Sequence, residues 1–460
     1  MSAQTLFEQL RQELGLSDFP ADNVMLTGRD PVYPTPFCIG EAAAAILALQ
    51  GVMLNVLSQL LPMQQIAVDC RSAAASTHAV AFQRQNGHNW QYNDPDYPTT
   101  DFYRTGDDRF IFLHGGYPKL RDGILDILNV PNNRKRIAGA VAGWSAEYLE
   151  ATLADAGLCA AVARTHEEWL THPQGRAVSR EPLITLTRLS DSGPRPKQYG
   201  RERILQSLRV LDFTHVIAGP TATRGLAQMG AEVLHISSPS RPRILPFDVD
   251  TNHGKRNAYL DLTTAADRRT AAQLIRTSDV FVQSYRPGAL ARYGLSVPEM
   301  VQLNPHLIAV NLNCYGHSGP WKSRPGFEQL AQTVTGMAMA QRENGIPQLG
   351  PTYPNDYLTG YLATLGVLMA LERQRREGGA WQVDVSLCRT ATWLQQQGSL
   401  NHWQTTEPVD ETWVTRCMAT ETGPFGELQY FNTALELDRT PLRFTSPAMP
   451  LGSRLPVWTD

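Results

Sequence analysis

From Leu208 onward the chain alternates short apolar runs with helical ones, and few folds accommodate that rhythm. Leu208–Phe213 reads as a strand, followed by the loop His215–Pro220 and a helix over Thr221–Met229. Glu232–Ile236 is the next strand, Asn257–Asp261 a short one, and Ala265–Arg276 a helix. Val280–Gln283 leads through SYRPGAL to a second helix, and Leu307–Leu312 leads into CYGHSGP. Strands separated by helices at this spacing cannot pair as hairpins. They pair in parallel, with the helices crossing over the faces. The expectation is a doubly wound α/β domain whose ligand collects beyond the carboxyl ends of the strands, where the polar loops lie.

The last unit is PTYPNDYLTGYLATLGVLMALERQRREGGAWQVDVS, residues 351–386. Leu358, Leu362, Leu365 and Met369 recur at helical spacing, Arg373, Arg375 and Arg376 close the run, and Gly378–Gly379 stop it. Asp356 stands at the start of that helix, where backbone N–H groups have no intrahelical partner. Two roles are open to it. It can cap the helix, the ordinary use of Asp there, or it can act as a nucleophile with oxyanion donors beside it.

The 460 residues allow two to three domains, and 42% hydrophobic against 18% charged residues provides a large core. A net charge of -3 with no long basic run gives no basis for nucleic-acid binding. The six cysteines, at 38, 70, 159, 314, 388 and 417, form no Cys-x-x-Cys pair and have no His at zinc-site spacing. They predict reduced buried thiols in a cytoplasmic protein and no metal site. MSAQTLFEQLRQELGL lacks a signal-peptide core. Gln50, Asn55 and Gln59 interrupt the most apolar stretch, Ala42–Leu61, which reads as a buried helix and not a membrane span.

Residues 1–99 read as mostly helical. Residues 100–181 form a smaller α+β domain, with a hairpin in DFYRTGDDRFIFLHGG. Residues 182–204 are a Pro/Gly/Ser linker, 205–390 the parallel-sheet domain, and 391–460 an extension that packs back. PVYPTPFCIGEAAAAILALQ, from Pro31, echoes PTYPNDYLTGYLATLGVLMA, from Pro351, and places Pro36 where the second copy has Asp356. The first segment is accordingly read as a degenerate repeat of the large domain's second half.

Five motifs in order, RVLDFTHVIAGPTATRGLAQMGAEVLHI, GKRNAYLDL, DVFVQSYRPGALARYGL, NPHLIAVNLNCYGHSGP and DYLTGYLATLGVLMALERQRREGGAWQVDVS, resemble the class III CoA-transferase family. That family includes formyl-CoA:oxalate and carnitine CoA-transferases and the α-methylacyl-CoA racemases. Residues 100–180, ending in RTHEEWLTHPQG, resemble its small domain, which here precedes the nucleotide-type domain, so the order is rearranged.

The resemblance implies the family fold, a Rossmann-like sheet with the small domain. It implies CoA transfer between an acyl-CoA and a carboxylic acid, with CoA as a substrate and no tightly bound cofactor. It also implies a homodimer, in which two chains can interlock. Asp356 in D-x-x-T-G takes the nucleophile's place and would pass through an acyl anhydride and an aspartyl-CoA thioester. His215, Val216, Ile217 and Ala218 line the CoA pocket; several relatives carry Gln where Ile217 stands. Gly254, Lys255 and Arg256 match the nucleotide-contacting turn. Ser284, Tyr285, Arg286 and Arg292 follow a strand end, with Tyr285 suited to adenine and Pro287 to the first turn of a helix facing phosphate. The racemases carry His-Asp at the place of Phe327–Glu328; Phe exchanges no proton, which disfavours a racemase or isomerase. A CoA-binding protein without turnover is the remaining alternative.

Overall fold

The computed structural model describes residues 2–90, 97–195, 197–407 and 409–459. Among these, helix α1 spans Ile39–Ser58 and strand β1 spans Thr185–Arg188. Then follow β2 (Arg209–Phe213), α2 (Ala218–Gln228), β3 (Glu232–Ser237) and β4 (Lys255–Tyr259). Next come α3 (Ala265–Arg276), β5 (Val280–Gln283) and β6 (Ile308–Asn313). The series closes with α4 (Glu328–Thr335), α5 (Pro354–Glu377), β7 (Trp381–Ser386) and α6 (Leu387–Gln396).

The central sheet runs β4-β3-β2-β5-β6-β7-β1. Neighbours pair in parallel as far as β7, and β1 closes the edge antiparallel. This is the doubly wound fold that the alternation predicts. The strand order turns back between β2 and β5, so the crevice lies beyond Phe213 and Gln283. Val210, Val280, Ile308 and Val383 are fully buried in these strands, as a sheet covered on both faces requires.

Helix α5 is buried on nearly every side. It packs on α2, on β7 and on α1, and one apolar cluster joins all four. Gly360 permits the closest approach: a methyl group there would stand 2.7 Å from the carbonyl oxygen of Ala218. Asp356 lies one turn before Gly360 and is thereby carried onto the start of α2. Helix α1, long and apolar enough by composition to cross a membrane, is 94% buried in this core.

A second sheet sets Val24–Thr27 parallel to Ile66–Asp69, with Leu435–Leu437 antiparallel at its edge. Its pattern repeats that of β6, β7 and β1. The helix Ala3–Glu13, strand Val24–Thr27, α1, strand Ile66–Asp69 and helix Cys70–Ser76 follow the order of Val297–Leu303, β6, α5, β7 and α6. The exchange is reciprocal. Strand β1 follows the first segment in the chain yet completes the sheet of the second, and Leu435–Leu437 does the converse.

Residues 100–179 hold a three-stranded antiparallel sheet (Thr100–Arg104, Phe110–His114, Ala160–Val162) with five helices around it. Within residues 1–99, read as mostly helical, a hairpin turn intervenes. Arg84–Gln85 and His88–Asn89 pair across Asn86–Gly87 and extend the hairpin of Met418–Gly423 and Gly426–Phe431; residues 91–96 lie outside the described residues.

Candidate active site

The carboxylate of Asp356 lines a cavity of about 80 Å³ just beyond the sheet crevice. His215, Val216, Ile217, Ala218 and Ser284 share that lining, with Asn313, Cys314 and Phe327 opposite. Asp356 is 6% exposed, and its side-chain oxygens accept no hydrogen bond among the described residues.

The acidic cap of α5 is a different residue. Asp356 is the third residue of the helix, and Glu328, at the start of α4, takes the free N–H groups. Glu328 accepts from the backbone N–H of Asn355 at 3.2 Å and of Asp356 at 2.9 Å. It also accepts from Asn355 Nδ2 at 3.0 Å and Gln332 Nε2 at 2.9 Å. The expectation that N–H groups at the start of α5 serve an oxyanion is therefore corrected, because a carboxylate already occupies them. The unpartnered donors lie just before α2: among the described residues the N–H groups of Val216 and Ile217, both in the cavity lining, donate to no protein acceptor. The backbone at Val216 has φ 72°, a left-handed conformation that a β-branched residue adopts only under constraint. Packing of Ile217 against Ala75, Ala79 and Tyr357 holds it there.

The two carboxylates are electrostatically linked. Burial, and then the charge of Glu328, push Asp356 well above the ordinary carboxyl range. Burial lifts Glu328 to about 7 against the pull of its donors. Four donors favour the anion on Glu328, so the proton that the pair retains sits on Asp356. His215 is held neutral, at about 3, by burial and by Arg241. The backbone N–H of His215 donates to Ser284 Oγ at 3.3 Å, and the ring Nδ1 lies at the same distance from that hydroxyl.

A larger cleft of about 580 Å³ adjoins this cavity, and His215 and Phe327 line both. Tyr285, Arg286 and Arg292 line the cleft, as do Lys119 and Arg241, which sequence reasoning missed. Arg241 lies over the Tyr285 ring at 4.7 Å, and that ring leans on His215 at 5.4 Å between centroids. The motif SRPR just past the end of β3 was the legible signal for Arg241, since loops at strand ends gather ligands. Lys119 comes from the small domain, and no local pattern points to it.

Gly254, Lys255 and Arg256 are not in the lining of either space. Strand β4 begins at Lys255 and not at Asn257, which turns the lysine into the protein. Its ammonium is fully buried and donates to Asp212 Oδ2 at 3.0 Å, Thr223 Oγ1 at 2.7 Å and the Pro220 carbonyl at 3.0 Å. Burial alone would raise the Asp212 carboxyl, but Lys255 and His235 hold it at about 2. Arg256 pairs with Glu232 at 3.2 Å. Pro287 starts no helix either; a short 3-10 turn at Ala291–Tyr293 follows, so no helix N-terminus faces phosphate there.

Phe327 stacks on His114 of the small domain, with ring centroids 4.3 Å apart and planes 9° apart, and on Tyr117 at 5.7 Å. His317 lies outside the cavity lining, with Nε2 3.1 Å from the Val385 carbonyl oxygen. No cluster of metal-binding side chains occurs among the described residues.

A family model described as CoA-transferase family III matches residues 205–433. Acetyl-coenzyme A transferase nodX of Hypoxylon pulicicidum is 31% identical over 324 residues, which is 64% of this chain and 54% of that protein. The probable fatty acyl-CoA transferase Rv3272 of Mycobacterium tuberculosis is 32% identical over 212 residues, 43% of this chain and 54% of that one. A formyl-CoA:oxalate CoA-transferase of Streptomyces avermitilis is 33% identical over 220 residues, 44% and 53%. The chain thus spans about half the length of the curated relatives it matches. The crystal structure of Rv3272 covers 43% of this chain and 59% of its own, at 32% identity and a TM-score of 0.41.

Proposed function

We propose, from the premise that residues 205–433 belong to CoA-transferase family III, that this chain moves CoA between an acyl-CoA and a carboxylic acid with Asp356 as covalent nucleophile. The observation that carries this reading is a buried carboxylate without a hydrogen-bond partner, facing a cavity that opens toward a cleft lined by four cations. CoA carries a 3′-phosphate and a diphosphate, and Lys119, Arg241, Arg286 and Arg292 supply matching charge. Lys255 and Arg256 have no part in that binding.

The chemistry proceeds by carboxylate exchange. Asp356 attacks the thioester carbonyl, the C–S bond breaks, and CoA thiolate and an aspartyl anhydride result. The thiolate attacks the aspartyl carbonyl of the anhydride and releases the donor acid, leaving an aspartyl-CoA thioester. The acceptor carboxylate attacks that thioester, and the thiolate returns to the acceptor's acyl carbon and frees Asp356. The N–H groups of Val216 and Ile217 receive the developing oxyanions, and no water is consumed. The nucleophile must be the anion, so Glu328 sets the pH at which the site works. A homodimer and a cytoplasmic location accompany this reading as proposals.

The test is transfer of CoA from acetyl-CoA to a panel of carboxylic acids, followed by mass spectrometry of the new thioester. Transfer lost in Asp356→Asn supports the reading. Undiminished transfer in that variant would refute it. Deuterium wash-in at the α-carbon without transfer favours the isomerase, and tight CoA binding with neither reaction favours a binding protein.

A further inference from the structure

Charge and size in the Asp356 cavity bear on which acids this chain handles; the argument rests on the reading of Asp356 as the group that meets the acyl carbon. Of the side chains lining the cavity, none is Lys or Arg, and Asp356 is the one carboxyl group. Glu328 stands directly behind it. A second carboxylate on the substrate, placed here, would be desolvated without a cation and beside two acids. The walls are Val216, Ile217, Leu312, Leu387 and the Phe327 ring. The cations line the neighbouring cleft, on the nucleotide side of His215 and Phe327.

Size sets a second limit. A water-sized group needs roughly 10–15 Å³ of this kind of volume, so about 80 Å³ holds roughly five to eight such groups. The thioester carbon, oxygen and sulfur take about three, which leaves roughly two to five for the tail. Phe327 walls that space where it meets the cleft and is itself fixed: its ring lies parallel to His114 at 4.3 Å and against Tyr117 at 5.7 Å. Both partners come from the small domain, so that domain fixes this wall of the cavity.

We propose that the acyl groups exchanged at Asp356 are short, uncharged and aliphatic, and that Phe327, braced by His114 and Tyr117, is the wall that limits their room.

Two measurements decide it on the full chain. Competition binding of butyryl-CoA, octanoyl-CoA and succinyl-CoA reads the selectivity even if turnover fails. Wild type should bind butyryl-CoA at least about tenfold tighter than either of the others. Phe327→Ala, and Phe327→Leu as the milder change, should raise the octanoyl-to-butyryl affinity ratio about tenfold while leaving succinyl-CoA weak. With propionate, octanoate and succinate as acceptors, kcat/KM should follow the same order. Succinyl-CoA bound as tightly as butyryl-CoA would overturn the proposal, as would an unchanged length ratio in variants that melt cooperatively. Failure of all transfer with these selectivities intact would count against covalent catalysis and not against this assignment.

Discussion

Helices α1 and α5 lie side by side in one core, yet of the two only α5 brings a carboxylate to the cavity beyond the sheet crevice. Their carboxyl ends correspond in the two copies, at Ser58 and Glu377, whereas their starts differ. Helix α5 begins at Pro354 and carries Asp356 in its first turn, while α1 begins only at Ile39. Pro34 and Pro36 account for the difference. Proline disfavours helical backbone in the residue before it, so the turn that would match Asn355–Asp356 cannot form. The first copy therefore has no carboxylate at the place of Asp356; its first-turn acid is Glu41, further along the helix. It also passes from Val24–Thr27 to α1 without any counterpart of α4, so it lacks Phe327 and Glu328 as well. The start of α1 keeps an acid and a cap of its own: Asp30 accepts from the backbone N–H of Glu41, the third residue of α1, at 2.8 Å, and Gln50 of α1 donates to the Tyr361 carbonyl of α5 at 2.7 Å. Both helix starts are thus satisfied by another carboxylate, and what separates them is position: Asp356 lines the cavity and Glu41 does not. Once Glu328 caps α5, Asp356 is left without a partner.

The comparison breaks most visibly at Asp356. Asp356→Asn should reduce transfer by about 1,000-fold or more, with little change in melting temperature. Lys255 tests the corrected assignment. Lys255→Met leaves Asp212 buried and unpaired and should cost about 3–5 kcal/mol in urea unfolding, without weakening CoA binding by the folded fraction. A specific loss of CoA affinity at full stability would restore the nucleotide role expected of this residue.

Glu328 gives a pH-dependent prediction. Its folded value, about 7, is raised, so the stabilisation from its protonated form is complete below its unfolded value and fades as pH rises through 7. Activity runs the other way, because it needs the anion of Asp356. Glu328→Gln removes the opposing charge and should shift the rise in kcat/KM to lower pH, on the order of tenfold more relative activity near pH 6. A pH profile that does not move would separate the two carboxylates. Arg241→Ala should raise KM for acetyl-CoA about tenfold, whereas Arg256→Ala should leave it within about twofold. The smallest effect is expected at the degenerate copy: Pro36→Asp restores a carboxylate outside the cavity that Asp356 lines, and should add no activity and no adduct.

The parallel sheet was legible because strand–helix alternation is a local pattern repeated several times, and each repeat excludes hairpins. Asp356 was legible as an acid at a helix start, and five ordered motifs raised it to a nucleophile. Its cap was not legible, because Glu328 belongs to another helix and only folding brings it to α5. Lys255 was misread because G-K-R looks like a solvated turn. The balancing signal was Asp212, an acid inside an apolar strand that needs a buried cation. Lys119, the His114–Phe327 stack and the exchanged strands join residues more than a hundred positions apart, and no sequence periodicity records such contacts.

The most direct test of the account is mass spectrometry of the intact chain after incubation with acetyl-CoA and rapid quenching. The account predicts a gain of one CoA less one water per chain, mapped by peptide digestion to Asp356 and absent from Asp356→Asn. An adduct on any other residue, or substantial transfer with no adduct on Asp356, would contradict it.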